Sequence, residues 1–266
     1  MRPTVLTVAG SDSSGGAGIQ ADLKAIAACG GYGASVITAL TAQNTCGVRA
    51  AEPVGPGMVR AQLDAVFDDL DVRAVKTGML ATAENVAVVA ELAAAGRLPN
   101  LVVDPVMIAK GGDRLLREDA VSAIKAHLLP LAEVLTPNIP EAEVLAGGRI
   151  ETLDDMRSAG RRIRAMGPRV VVVKGGHLGR EVSGDQVVDV VCAADGEFEL
   201  RGPRIETRHT HGTGCTFASA TAAQLARGVD VETALRTARE YLEGAIRQAP
   251  GLGAGHGPLN HFWRVY

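Results

Sequence analysis

The chain has 266 residues, of which 47% are apolar and 21% are charged, and its formal net charge is −3. This composition is typical of a soluble globular protein, and the length is enough for one large core. With no run of Lys or Arg and only 3% aromatic residues, the chain is a poor match for proteins that bind nucleic acid or anionic membranes.

The first apolar run resembles a buried strand more than a signal peptide, and the cysteines are widely spaced. No apolar stretch is long enough to span a membrane, and the first apolar run stops at Gly10 without a cleavage-like site. The four cysteines are far apart and form no C-x-x-C pair, which argues against a disulfide framework or a zinc site. We therefore expect a cytoplasmic protein.

Short apolar runs alternate with amphipathic stretches along the chain. The apolar runs predict strands at Val5–Ala9, Ala34–Leu40, Ala74–Thr77, Leu101–Val103, Val134–Thr136 and Val170–Val173. The amphipathic stretches predict helices at Ile19–Ala28, Val59–Leu70, Glu84–Ala95, Asp119–Leu129 and Met156–Met166. This alternation predicts an α/β protein with a mainly parallel sheet covered by helices on both faces.

The last third of the chain has a different pattern. Gln186–Cys192 and Glu197–Arg201 predict an antiparallel hairpin added late to the sheet, and two helices follow near Thr216–Ala226 and Val231–Arg247. We find no linker, internal repeat or low-complexity block, so residues 1–266 are predicted to form a single domain.

Polar residues follow the predicted strands. Ligands of parallel sheets bind outside the carboxyl ends of the strands. The residues found at these ends are Asp12, Gln43, Gly78, Met79, Asp104, Asn138, Glu141 and Lys174. Their common placement predicts a ligand site at this edge of the sheet.

The segment Thr210-His211-Gly212-Thr213-Gly214-Cys215-Thr216 runs directly into an alanine-rich helical stretch. Its glycines let the backbone turn with the amide hydrogens on one side, and the helix adds unpaired N–H groups and its dipole. Such a turn can hold an anion, usually phosphate, and we expect a depressed thiol pKa for Cys215 inside it. The alternative is a glycine-rich helix cap that contains a cysteine with no role.

A second glycine-rich segment, Gly15-Gly16-Ala17-Gly18-Ile19-Gln20-Ala21, has the lettering of a dinucleotide fingerprint. We reject NAD binding, because no acidic residue occurs at the end of the second predicted strand before Glu52. The glycines can instead let the backbone close over a small substrate, with Asp22 one helical turn inside. Asp22 on its own is also explained as a first-turn acid favoured by the helix dipole.

The chain has no P-loop, so a phosphoryl-transfer enzyme with this sequence must hold its phosphates at the turn formed by residues 212–215. Asp104 and Glu141 are carboxylates placed to hold Mg²⁺, and Lys174 can lie against the phosphates. Two alternatives stay open. Glu141 can be a first-turn residue of a helix opened by Pro140, and Lys174 can be a strand-end lysine that reaches water.

Three further features have weaker signals. Gln43 can both donate and accept hydrogen bonds, which matches the edge of an aminopyrimidine, although on its own it is explained as a polar loop residue. Lys110-Gly111-Gly112-Asp113 is flexible enough to form a covering loop. The histidines have no metal-ligand spacing and are predicted to form hydrogen bonds in loops; they are His177, His209, His211, His256 and His261.

Taken in chain order, these motifs resemble the bacterial hydroxymethylpyrimidine/phosphomethylpyrimidine kinases of thiamine biosynthesis, within the ribokinase-like superfamily. The resembling segments are residues 9–22, 37–45, 104–107, 109–113, 136–138, 174–177, 210–216 and the tail 255–262. They cover nearly the whole chain in the order that the family shows. Thr77 departs from the family, where an aliphatic residue is more usual.

The resemblance implies a ribokinase-like three-layer α/β/α fold and ATP-dependent phosphorylation of 4-amino-5-hydroxymethyl-2-methylpyrimidine, and then of its monophosphate. Relatives are commonly dimers, so a homodimer is expected. Mg²⁺ is expected at Asp104 and Glu141, and ATP phosphates at Lys174 and Thr213. The implied catalytic residues are Cys215, Gly212, Thr213 and Gly214, and the substrate-binding residues are Gln43, Gly10, Met79 and Val106, to which the glycine-rich segment adds Asp22.

Three other functions share this fold. A pyridoxal kinase is the nearest alternative, and it can carry the same cysteine. A lyase that repairs hydrated nicotinamide nucleotides usually keeps aspartate at the position of Cys215, where many kinases of the superfamily also have aspartate. A non-catalytic ligand sensor would not need Asp104, Lys174 and Cys215. Gln43 favours the pyrimidine kinase over pyridoxal kinase.

Overall fold

A computed structural model describes residues 2–107 and 117–264 of the chain. The predicted covering loop at Lys110–Asp113 lies outside the described residues. Ten strands are found in the described part: β1 Thr4–Ala9, β2 Tyr32–Ile37, β3 Ala39–Asn44, β4 Gly47–Pro53, β5 Val72–Thr77, β6 Leu101–Val103, β7 Val134–Leu135, β8 Val170–Val173, β9 Gln186–Ala193 and β10 Gly196–Pro203.

Eight of these strands form the central sheet, in the order β10-β9-β8-β7-β6-β5-β1-β2. The six strands from β8 to β2 are parallel, whereas β9 pairs antiparallel with both β8 and β10. The prediction of a mainly parallel sheet with a late antiparallel hairpin is therefore confirmed.

Helices cover both faces of this sheet. They are α1 Gly18–Ala28, α2 Pro56–Phe67, α3 Ala83–Ala94, α4 Glu118–Ala123, α5 Ile139–Ala146, α6 Leu153–Arg164, α7 Arg180–Ser183, α8 Thr213–Ala226 and α9 Val231–Arg247. Helices α2 to α6 enclose one apolar cluster, and α1, α8 and α9 enclose another. None of the helices in the two described stretches has both the length and the apolarity to cross a membrane.

The two apolar clusters lie on opposite faces of the sheet and take alternate residues of the same strands. In β1, Leu6 and Val8 belong to one cluster and Val5 to the other. In β8, Val171 and Val172 are divided in the same way. Successive side chains of a strand point to opposite faces, and here both faces are buried. The three-layer α/β/α fold is thus confirmed, and it explains the near-continuous apolar runs.

The second predicted strand is wrong in its extent. Strand β2 ends at Ile37, and Thr38 separates it from β3. The Thr38 hydroxyl donates to the Met79 carbonyl at 2.6 Å, and the Thr38 N–H donates to the Ala9 carbonyl at 3.1 Å. Strands β3 and β4 then form a separate two-stranded antiparallel sheet. Gln43 therefore lies on a hairpin rather than in a loop, and the mixture of Ala, Thr and Gln in β3 has no apolar alternation that would predict it.

Helix Asp119–Leu129 is only partly correct. Helix α4 ends at Ala123 and continues as a π-turn at Ile124–Leu128 and a 3-10 turn at Leu129–Leu131. Pro130 lacks an N–H and cannot continue a regular helix, which accounts for the change of pitch. Helices α5 and α7 were not predicted, although Pro140 had indicated a possible start for α5.

Candidate active site

A cavity of about 800 Å³ lies at the carboxyl ends of the parallel strands, in front of the N-terminus of α8. The sequence predicted a ligand site at this edge. Of the twelve residues to which the sequence assigns a catalytic, substrate-binding, phosphate-binding or metal-binding role, eleven line the cavity: Gly10, Gln43, Met79, Asp104, Val106, Glu141, Lys174, Gly212, Thr213, Gly214 and Cys215. The twelfth, Asp22, does not line it.

The turn before α8 is built around Gly212. This residue is the N-cap, with a φ of 83°, and its carbonyl accepts from Thr216 N at 2.8 Å. The N–H groups of Gly214 and Cys215 lie in the first turn, where α-helical geometry offers no acceptor. Together with the helix dipole they make this end of the cavity attractive to an anion.

Gly212 is also where the turn touches the first glycine-rich loop. A Cβ added at Gly212 would lie 1.9 Å from the carbonyl oxygen of Gly16. We expect Gly212→Ala to displace the turn and to lower kcat by at least tenfold, with a stability cost on the order of 1–3 kcal/mol. Turnover and urea denaturation measure the two effects.

Gly228 provides the matched control, because it has the same φ of 83° but no atom within 4 Å of an added Cβ. Gly228→Ala should carry only the backbone strain, on the order of 1 kcal/mol, and keep normal turnover. Equal turnover in the two variants would show that the position of the turn does not matter for activity.

The environment of Cys215 corrects the expected acidity of its thiol. Burial raises the pKa of Cys215 to about 11, against the opposing effect of the Lys76 ammonium, and the carboxylates of Asp22 and Asp104 raise the pKa further. The sequence had predicted a depressed pKa from the helix N-terminus. Burial and the two carboxylates could not be foreseen, because Asp22 and Asp104 are distant in sequence. In the ligand-free protein at neutral pH, Cys215 is a thiol.

Lys76 is a site residue that the sequence reasoning missed. Its side chain is fully buried, and Nζ contacts both oxygens of Asp22, at 2.8 and 2.9 Å. Asp22 also accepts hydrogen bonds from Thr7 at 2.6 Å and Ser219 at 2.7 Å. Asp22 therefore lies beneath the cavity as the counter-ion of Lys76, which itself lines the cavity.

Lys76 is protonated and positively charged in this environment. Burial alone would lower the pKa of its ammonium, but the adjacent Asp22 carboxylate raises it above the ordinary value. A lysine near the end of an apolar strand was the only available signal in the sequence. Its partner, 54 residues away, could not be inferred.

Asp104, Lys174 and Glu141 form a second charged cluster. Lys174 Nζ contacts Asp104 Oδ1 at 2.9 Å, and the Thr136 hydroxyl donates to the same oxygen at 3.1 Å. Glu141 forms a capping box at the start of α5, in which its carboxylate accepts from Asn138 N and the Asn138 side chain accepts from Glu141 N. The prediction that Glu141 is a first-turn residue of a helix is therefore confirmed, and the same residue lines the cavity.

The same cluster alters two ionisation equilibria. Burial raises the pKa of Glu141 to about 7, and nearby Asp104 raises it further while Lys174 opposes the shift. Burial alone would lower the pKa of Lys174, but Asp104 and Glu141 raise it above the ordinary value. Lys174 is therefore cationic. A cation bound next to Glu141 would lower the pKa of its carboxyl and favour loss of the proton.

Glu141 should make the stability of the metal-free protein depend on pH. Its pKa rises from 4.5 to about 7 on folding, so between these values the native state holds a proton that the unfolded chain has released. The contribution of Glu141 to the free energy of unfolding is therefore largest below pH 4.5. It decreases as the pH rises from 4.5 through about 7. Glu141→Gln keeps the capping acceptor and should remove a decline on the order of 2 kcal/mol. Urea denaturation at pH 5 and 7.5 measures this, and parallel losses in both proteins would contradict it.

Asp12 and His211 form a buried pair beside Gln43. The Asp12 carboxylate accepts hydrogen bonds from Ser14 N, Ser14 Oγ, Gly16 N and Ala17 N, and lies 2.8 Å from His211 Nε2. Burial would raise the pKa of Asp12, but the hydrogen bonds from His211 and Ser14 outweigh it and lower the pKa to about 2. Asp12 thus holds the first glycine-rich loop and links it to the turn before α8.

The far end of the cavity has a different lining. Its apolar side chains come from β9, the end of β10 and the segment after it, and α9; they are Val187, Pro203, Ile205, Leu242 and Ile246. Arg239 and Asp189 form an ion pair of 3.0 Å at its border. This end could not be predicted from the sequence, because isolated apolar residues on a strand and a helix give no motif.

The C-terminal tail packs against the turn before α8. His261 Nε2 lies 3.0 Å from the hydroxyl of Thr216, and burial lowers the pKa of His261 to about 4, so this ring is neutral. His256 N donates to the Thr45 carbonyl on the hairpin at 2.8 Å. No group of three or more His, Cys, Asp or Glu in the described residues could hold a metal ion. His211, His256 and His261 thus make the hydrogen bonds expected of the histidines.

Comparison with known proteins gives the family. The family model for phosphomethylpyrimidine kinase matches residues 12–260. The chain belongs to this family. It is therefore an enzyme, and its class is kinase.

Two curated relatives and one solved structure support this. The hydroxymethylpyrimidine/phosphomethylpyrimidine kinase of Streptomyces coelicolor is 51% identical over 99% of the chain and 96% of the relative. The thiamine biosynthesis bifunctional protein ThiED of Geobacter sulfurreducens is 52% identical over 98% of the chain, which spans 52% of that longer protein. The ADP complex of Bacillus subtilis pyridoxal kinase has a TM-score of 0.89 at 36% identity and covers 98% of both chains.

Proposed function

We propose that this kinase transfers the γ-phosphoryl group of ATP to hydroxymethylpyrimidine, and then transfers a second one to the resulting monophosphate. The observation that carries the proposal is the cavity itself. One continuous cavity joins Gln43, the cations Lys76 and Lys174, and the first turn of α8 with Cys215. Relatives over 96% or more of their own length are named for the same two reactions.

The acceptor end of the cavity fits a small ring. Gln43 offers an amide donor and acceptor, and Met79 and Val106 offer apolar surface. A Cβ at Gly10 would lie 2.4 Å from Met79 Cε, so a larger residue here would push the end of the Met79 side chain aside. We assign Gly10, Gln43, Met79 and Val106 to substrate binding. Asp22 supports the site through Lys76 and does not touch the ring.

The reacting groups meet at the turn before α8. In the first transfer the substrate hydroxyl forms a bond to the γ-phosphorus, the bond from that phosphorus to the bridging oxygen breaks, and ADP leaves. Cys215 takes or orients the hydroxyl proton, while Gly212, Thr213 and Gly214 present the backbone to the transferring group. In the second transfer the nucleophile is a phosphate oxygen that carries no proton, so no base is needed.

The nucleotide is assigned to the rest of the cavity. Lys174 and Thr213 lie where ATP phosphates would enter the turn, and the apolar far end suits a flat base. Asp104 and Glu141 fit Mg²⁺, which is commonly held by one or two carboxylates together with substrate phosphates and waters. Bound Mg²⁺ would neutralise charge on the phosphates. The raised pKa of Glu141 also fits, since a nearby cation favours the ionised carboxyl.

A coupled assay of ADP release tests the proposal. Hydroxymethylpyrimidine and its monophosphate should each stimulate ADP release in the presence of Mg²⁺. Pyridoxal, the substrate class of a structural neighbour, should be used with lower kcat/KM. Higher efficiency with pyridoxal, or no release with either pyrimidine, would overturn the assignment.

We also propose one domain, a cytoplasmic location and a homodimer. Both helical layers pack on one sheet, and all four cysteines are free thiols. Leu40 on the β3–β4 hairpin is 55% exposed and is available for a subunit contact. Light scattering coupled to size-exclusion chromatography should give twice the mass of 27.5 kDa. A monomer at micromolar concentration would contradict the dimer.

A further inference from the structure

The side-chain amide of Gln43 lies between two groups of opposite hydrogen-bonding character. Its nitrogen Nε2 is 3.4 Å from His211 Nε2, and its oxygen Oε1 is 3.4 Å from Thr41 Oγ1. A half-turn of the amide exchanges the nitrogen and the oxygen with little change in shape. The hydrogen-bonding partners therefore decide which atom faces which neighbour.

On the His211 side, the neighbour is a donor. Asp12 Oδ2 lies 2.8 Å from His211 Nε2, and the carboxylate can only accept because its pKa is lowered to about 2. Nε2 must therefore carry the hydrogen, whether the imidazole is neutral or charged. If the amide nitrogen of Gln43 lies at this position, two N–H donors face each other, one from Gln43 and one from His211. The amide oxygen of Gln43 can instead accept a share of the His211 Nε2 hydrogen.

On the Thr41 side, the neighbour is an acceptor. The single hydroxyl hydrogen of Thr41 is used in the 2.8 Å bond to the Ser11 carbonyl. The remaining lone pairs of Thr41 Oγ1 can accept a hydrogen but cannot supply one to Gln43. The same half-turn places the Gln43 NH₂ group here, so one rotation resolves both mismatches.

Resting on the proposed function, we infer that Asp12–His211 and Ser11–Thr41 lock the Gln43 amide with its oxygen toward His211 and its nitrogen toward Thr41. The chain of bonds then runs from Gln43 NH₂ to Thr41 to the Ser11 carbonyl, and from His211 Nε2–H to both Asp12 and the Gln43 oxygen. Thr41 and His211 are positioning residues, because they act on the ring through Gln43.

With the amide held in this way, one N–H and one oxygen lone pair of Gln43 remain for hydrogen bonds to the ligand, both in fixed positions. Adjacent donor and acceptor groups match a ring nitrogen beside an exocyclic amino group. The backbone of Gln43 is fixed as well, since Ser13 Oγ accepts from Gln43 N at 2.9 Å and donates to Gln43 O at 2.8 Å. Specificity for an aminopyrimidine over a ring without the amino group thus depends on the residues that orient the Gln43 amide as well as on Gln43 itself.

The test compares the substrate with its analogue that lacks the 4-amino group. Thr41→Val and His211→Phe should each raise the KM for hydroxymethylpyrimidine about threefold, and the double variant about tenfold, because the amide must be ordered on binding. The expected kcat of Thr41→Val stays within about twofold of the wild-type value, whereas His211→Phe also breaks the bond between Asp12 and the turn before α8 and is expected to lower kcat as well. The Ki of the desamino analogue as a competitive inhibitor should also change less than about twofold, since it does not use both amide functions.

Conservative variants separate the lock from simple packing. Thr41→Ser keeps the hydroxyl, and His211→Gln keeps an N–H donor near Nε2, so both should retain the wild-type KM. His127→Phe, at an exposed position outside the cavity, controls for the change of His to Phe. An unchanged KM in the double variant, or a parallel rise of KM and Ki, would overturn the lock. A wild-type enzyme inactive on hydroxymethylpyrimidine would instead overturn the proposed function, and this inference with it.

Discussion

Cys215→Ala is expected to lower kcat for the first phosphoryl transfer by about 100-fold or more and to leave the second transfer within a few-fold of wild type. In the first transfer the attacking hydroxyl group must lose a proton, so a group that accepts or orients this proton matters. In the second transfer the attacking phosphate oxygen carries no proton, so loss of the sulfur should matter little. The second reaction is an internal control for folding and nucleotide binding. Single-turnover rates with each substrate measure both, and equal losses in the two transfers would exclude a role for the sulfur in handling the proton.

The same experiment has a pH arm. Because burial raises the pKa of Cys215 to about 11, the thiolate fraction increases with pH throughout the range from 7 to 9. The first transfer should accelerate with pH in wild type, and this slope should vanish in Cys215→Ala. Cys215→Asp, which supplies an ionisable carboxyl, should recover much of the first transfer, whereas Cys215→Ser should not. A pH-independent first transfer in wild type would mean that the sulfur orients the hydroxyl without accepting its proton.

Lys76→Met is expected to be the most destabilising substitution in the site, by about 3–5 kcal/mol, because it leaves the carboxylate of Asp22 buried without a counter-ion. Arg73→Met is the matched control. Arg73 lies on the same strand and pairs with Asp71, but the side chains are 61% and 76% exposed. An exposed pair of this kind contributes about 1 kcal/mol or less.

A double variant tests whether the cost comes from the unpaired charge. Asp22→Asn combined with Lys76→Met removes both charges and keeps one of the two oxygens that accept from Thr7 and Ser219. The double variant should be more stable than Lys76→Met alone in urea denaturation. Simple additivity of the two single losses would show that Lys76 and Asp22 do not interact energetically.

The parts of the site that could be predicted from the sequence are those that depend on local signals. The glycines at 212 and 214 predicted the turn before α8, and the polar residues after apolar strands predicted which residues would meet at one edge. Parallel strands align their carboxyl ends, so Asp104 and Lys174 come together although they are 70 residues apart.

The parts that were missed depend on burial and on distant pairing. Asp22 appeared to be a first-turn acid, and only the fold shows that it is the counter-ion of Lys76. The sign of the Cys215 pKa shift was wrong because the helix N-terminus is visible in the sequence and burial is not. The β3–β4 hairpin was missed because its residues show no alternation of apolar and polar side chains, although it places Gln43 beside His211.

The central claim is that the turn before α8 holds the migrating phosphoryl group next to Cys215. A crystal structure with ADP, Mg²⁺, aluminium fluoride and hydroxymethylpyrimidine tests this claim most directly, because the fluoride complex imitates the group in transfer. We predict aluminium fluoride within hydrogen-bonding distance of the Gly214 and Cys215 N–H groups. The hydroxymethyl oxygen of the substrate should lie between the aluminium atom and Cys215 Sγ. Aluminium fluoride bound elsewhere, or a substrate hydroxyl out of reach of Sγ, would contradict the account.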